Sequence, residues 1–209
     1  MLNLIKKDLL LIFSIKSNVI TLVLFFPLMM LILGSENTTG VYSLMLISYG
    51  FVLSSIPFKY ELRDKPHMLI QSLPIKKKDI VISRYLAMFI YFLIGLVYTW
   101  ICFYIFKLLG FEYDGKFDIL TIKQSLLVLL FSSSISFPAQ FRLPPKLSNI
   151  ANIIIFILII NITSAISDEI GSMLLSNYFQ GPLVLLLVGI IYLLSMLISI
   201  GLYETRDLY

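Results

Sequence analysis

The chain is poor in the residues that do chemistry in water. It holds one cysteine, Cys102, and one histidine, His67, among 209 residues. A single cysteine excludes an internal disulfide and any cysteine-based metal cluster; within its apolar run it reads as a small packing residue. A single histidine excludes a multi-histidine metal site. Charge is scarce as well: 13% of residues are charged and 59% are hydrophobic, where a soluble domain carries about 25% and roughly 45–50%. With a mean hydropathy of +0.96, this is the composition of an integral membrane protein. The net charge of +4 follows membrane topology, so it points to no nucleic-acid partner.

Catalytic motifs are missing too. No G-x-x-x-x-G-K-[ST] occurs, and Gly115-Lys116 stands in a loop between spans, so the chain carries no P-loop for ATP. No H-E-x-x-H is present. Ser132, Ser133, Ser134 and Ser136 cluster in one apolar stretch. No embedded His, Lys or Asp is in reach there to activate a hydroxyl, and serines in such a helix normally bond back to their own carbonyls or let helices approach closely.

What is present is length without charge. Six uncharged stretches cover 17–35, 37–58, 85–106, 124–141, 147–167 and 170–203. A spanning helix needs about 20 residues. The sixth stretch is too long for one span, and Gly181-Pro182 divides it, because proline is welcome in a helix's first turn and unwelcome inside it. The expected spans are 17–35, 37–58, 82–106, 121–141, 147–167 and 183–203, in one domain over 1–209. The uncharged stretches place no ionisable group inside the membrane, which disfavours an ion-driven carrier. Polar residues there are few: Thr21, Asn149, Asn152, Asn161 and Thr163. Tyr98, Trp100, Phe103 and Tyr104 fall where an outer aromatic belt is expected.

Residues 1–16 read as an interfacial helix or a cytoplasmic extension of the first span, retained and not cleaved as a signal peptide. Leu2, Ile5, Leu9, Ile12 and Phe13 share one helical face opposite Asn3, Lys7 and Ser14. With the N-terminus inside, thirteen Lys and Arg lie on the cytoplasmic side against three outside, a strong positive-inside bias. The fold class is therefore all-α integral membrane: an N-terminal interfacial helix plus six transmembrane helices, both termini cytoplasmic.

The longest water-facing segment is the loop 59–81. Between Lys59 and Arg84 stand seven of the sixteen Lys and Arg, with Glu61, Asp64 and Asp79. Pro66 and Pro74 bracket HMLIQSL, predicting a two-turn helix from about Lys65 to Ser72. Isolated helices this short are marginal in water and need a dock, either the membrane surface or a protein groove. Met68, Leu69 and Leu73 form its apolar edge. Asp79 is expected to cap the third span.

The run YELRDKPHMLIQSLPIKKKDIVISRYLA resembles the loop of bacterial permease subunits of the second type of ATP-binding-cassette exporters. The resemblance rests on Glu61, then Ser72-Leu73-Pro74, the basic Lys76-Lys77-Lys78, Asp79-Ile80-Val81, and Tyr85 to Ala87; the start MLNLIKKDLLL resembles the family's interfacial helix. It implies a half-transporter of the bacterial plasma membrane, similar to the small peptide exporters. Two permeases, identical or different, would pair, each docking a separate cytoplasmic ATPase that holds ATP and magnesium; this chain itself would need no cofactor. The loop would be the coupling helix, with Glu61, Asp64, Met68, Leu69, Ser72, Leu73 and Pro74 meeting the ATPase. The competing readings are a secondary carrier, a non-transporting immunity or sensor subunit, and, last, an enzyme.

Overall fold

A computed structural model describes residues 2–33, 38–63, 76–110, 118–167 and 181–205. These residues form seven helices: α1 Leu2–Ser14, α2 Lys16–Leu33, α3 Thr38–Arg63, α4 Lys77–Leu108, α5 Ile119–Arg142, α6 Pro145–Ser167 and α7 Pro182–Glu204. Four of them carry segments long and apolar enough to cross a membrane: Gly40–Tyr60, Lys77–Leu108, Ile119–Arg142 and Leu183–Glu204.

Local chemistry explains the ends. Asp79 in the first turn of α4 and Lys107 in its last complement the helix dipole. Gly110, with φ +86°, turns the chain out of α4 through a conformation that side-chain-bearing residues resist. Asp118 caps α5 by accepting from the Leu120 amide at 3.5 Å. Leu143-Pro144-Pro145 then breaks the run between α5 and α6. Gly181 is the N-cap of α7 and Pro182 its first residue, the division that proline chemistry dictates.

Two expectations change. Asp79 is not the cap of the third span: Lys76 occupies that position without a side-chain bond, and Asp79 sits inside the first turn. α3 runs through to Arg63 and α4 begins at Lys77, so both helices enter the expected loop 59–81. The buried face of α1 is Ile5, Asp8 and Ile12, whereas Phe13 is exposed and Leu9 half-buried. The buried face is rotated from the expected one and contains an acid.

α3 lies at the centre, with 83% of its apolar segment buried against 22% for α7. Two apolar clusters meet on it. One joins α3, α4, α5 and α7 around Phe58, Tyr85, Leu129, Phe137 and Tyr192. The other joins α1, α2, α3 and α4 around Ile12, Leu22, Met45, Tyr49 and Tyr91. Glycine lets the backbones approach: a Cβ at Gly50 would lie 2.5 Å from Leu129 Cδ2, and one at Gly95 would lie 3.2 Å from Tyr49 Cβ. Small residues at such crossings are how apolar helices pack without help from water.

Candidate functional site

The segments flanking the loop converge at one end of the helices. Phe58, near the end of α3, packs on Phe141 of α5 with ring centroids 4.9 Å apart, and Phe141 packs on Tyr203 of α7 at 5.4 Å. Lys77, the first residue of α4, donates from Nζ to the Glu204 carbonyl at 3.1 Å, placing a cation at the C-terminus of α7. α1 reaches the same end through Asp8. So the segments carrying the basic residues that flank the loop, the start of the chain and the end of α7 gather together.

At their centre is a buried ion pair. Arg84 Nη1 lies 2.8 Å from Asp8 Oδ2, and each side chain is 3% exposed. The guanidinium stands over the Phe58 ring, 4.9 Å from its centroid, a further attraction for a planar cation. Lys7 Nζ approaches the other carboxylate oxygen at 3.5 Å and is 40% exposed. Arg84 is thus held by α1 and by α3 together. Taking both charges out of water is costly, and the pair offsets that cost only while it is intact. Removing one partner of such a pair typically destabilises by about 3–5 kcal/mol.

Sequence reasoning missed this pair. Arg84 lies just outside the uncharged stretch and reads as one more loop cation, while Asp8 belongs to neither face assigned to residues 1–16. A signal was nevertheless there. Asp8 is the single acid before Glu36, and it falls three residues after Ile5 and four before Ile12, on the same face. An acid on an apolar stripe needs a cation. Arg84 is the eighth of the 32 residues of α4, so the pair lies towards the loop end and not midway along the helix.

The next residue, Tyr85, holds α4 to α5 and α7. Its hydroxyl is 2.8 Å from both Ser195 Oγ and Ser199 Oγ. Ser195 Oγ donates to the Ser134 carbonyl at 2.6 Å. Each hydroxyl has one hydrogen, so the line has one direction: Ser199 donates to Tyr85, Tyr85 to Ser195, and Ser195 to Ser134. Tyr192 also donates to the Tyr85 carbonyl at 2.9 Å.

The serine cluster behaves as a packing feature. Ser133 and Ser134 donate to the Leu130 carbonyl at 2.9 and 2.7 Å, and Ser132 to Val128 and Leu129. Ser136 instead donates to Asn152 Oδ1 at 2.8 Å, and Gln140 Nε2 donates to the same oxygen at 2.7 Å, tying α5 to α6. Asn161 and Thr21 bond back to their own helices, and Asn149 is exposed. Of the expected aromatic belt, Trp100 and Tyr104 face outward, whereas Phe103 is buried against Tyr42, 3.6 Å between centroids. Tyr98 donates to the Val23 carbonyl at 3.2 Å.

Of the residues expected to meet an ATPase, Glu61 is in the last turn of α3. Asp64, Met68, Leu69, Ser72, Leu73 and Pro74 lie outside the described residues, as does the expected two-turn helix. Among the described residues no group of three or more His, Cys, Asp or Glu is arranged to hold a metal.

These features define a multi-pass helical membrane protein whose polar side chains join helices and whose segments around one loop are locked together. A profile of the ABC-2 family transporter proteins matches residues 3–204, nearly the whole chain, and the chain belongs to that family. It is a membrane transport subunit of ABC-transporter type, not itself catalytic, from a family that generally works with a cytoplasmic ATPase. No curated protein and no solved structure matches the chain.

Proposed function

We propose that this chain is the permease of an exporter in a bacterial plasma membrane, paired with a second permease and driven by a separate ATPase that carries ATP and magnesium. Its 1–209 form one domain: an interfacial α1 and six spans, with both termini and the loop in the cytoplasm. The cargo is hydrophobic or amphipathic, such as a peptide, in keeping with an interior whose hydroxyls and amides largely bond within the helices or between them. The observation that carries this reading is the meeting of α1, α3 and the start of α4 at one buried ion pair, with the end of α7 bonded to Lys77 at the same end of the helices. A loop that receives force from a partner needs a rigid base, and this one has it. The thirteen-to-three bias of basic residues supports the cytoplasmic side for that end.

On this reading Met68, Leu69, Ser72, Leu73 and Pro74 enter a groove of the ATPase, and Glu61 and Asp64 meet its basic rim. Burying a leucine contributes about 1.5–3 kcal/mol, whereas exposed rim pairs contribute little. Leu69→Asp combined with Leu73→Asp is therefore expected to detach the ATPase in co-purification while the permease itself stays folded. Normal association and normal hydrolysis by the doubly substituted complex would sink the assignment of this loop.

A further inference from the structure

The two flanks of the loop are not anchored in the same way. α4 contributes a charge, Arg84; α3 contributes an aromatic ring, Phe58, beneath that charge, and an acid on α1 pairs with it. Apolar side chains would also have held α1 in place, and usually at less cost in desolvation. What an ion pair adds is selectivity of position. Asp8 accepts the guanidinium in one rotational setting of α1, and a slip separates the two buried charges. Interfaces of this kind have discrete arrangements and do not yield gradually.

We propose that Asp8 and Arg84 are positioning residues that form the joint through which force on the loop and on α1 enters the spans as one movement. The inference rests on the permease reading above. α1 and the loop would move as a block because Arg84 belongs to α4 while its counter-ion belongs to α1, with Phe58 closing the contact from α3. α4 then carries the movement along its 32 residues to Cys102 and Phe103, which pack at the far end against α3.

The chain's single cysteine makes this measurable without new labels. Wild-type permease and ATPase are co-purified, placed in lipid vesicles, and labelled with N-ethylmaleimide with and without ATP and magnesium. In the wild type, ATP is expected to change the Cys102 labelling rate at least threefold. Asp8→Asn is expected to abolish that change while the ATPase remains bound. The exchange Asp8→Arg with Arg84→Asp, which restores a pair, should recover at least half of it. Rates are taken per assembled complex, so a variant that merely folds poorly loses yield and not response. A full response in Asp8→Asn complexes overturns the inference, as does a wild type that binds its ATPase yet shows no ATP-dependent change. A wild type that binds no ATPase overturns the permease reading along with it.

Discussion

Arg84 and Tyr85 are neighbours on α4 and hold different sides of the molecule by different chemistry. Arg84 reaches α1 and α3 through a charge and a ring; Tyr85 reaches α5 and α7 through neutral hydroxyls. The hydroxyl side degrades gracefully. A serine that loses a partner can turn to a carbonyl of its own helix, as Ser132, Ser133 and Ser134 already do. The charged side is less forgiving, because a carboxylate or guanidinium without its close counter-ion is a large penalty wherever it is dry. The difference separates a side built to stay packed from a side built to hold one position or let go.

Stability measurements sharpen that contrast. Arg84→Met is expected to have the larger effect, about 3–5 kcal/mol, because it takes the close counter-ion from a buried Asp8. Adding Asp8→Leu to it should return most of the lost stability, since two apolar residues need no counter-ion. Thermal unfolding in detergent reads both; equal loss in the single and double variants would show that packing volume matters more than charge. Tyr85→Phe is expected to cost about 1 kcal/mol, the net worth of one hydrogen-bonded hydroxyl. A loss as large as that of Arg84→Met would erase the distinction between the two sides.

Much of the architecture was legible because lipid imposes it. Apolar length, the Gly181-Pro182 break and the back-bonded serines follow from backbone satisfaction in a medium without water. The face of α1 was harder. Leu4, Leu10 and Leu11 blur its period, and the face that is buried is settled by the partner of Asp8 on a helix more than seventy residues away. In α7 the hydroxyls of Tyr192, Ser195 and Ser199 stand at i, i+3 and i+7, one stripe on an otherwise apolar helix, and Tyr85 set against them shows that stripe to be the inward side. Arg84 was hidden by its position one residue before an uncharged run. Pairing of charges across distant helices leaves no local pattern, which is why the centre of the candidate site was found in the structure, while the proposed contact residues of the loop were read from the sequence.

The same contrast runs through the whole molecule. α3 is a buried axis and α7 an apolar outer wall, with Leu186, Ile190, Leu193 and Leu197 exposed along it. On the permease reading proposed above, energy enters such a molecule at the loop end. Reconstitution tests this most directly. The purified chain alone in vesicles, with ATP or under a proton or sodium gradient, is predicted neither to hydrolyse ATP nor to move a fluorescent amphipathic peptide uphill. Adding its ATPase is predicted to start hydrolysis-dependent transport. Uphill movement by the lone chain under an ion gradient would contradict the account.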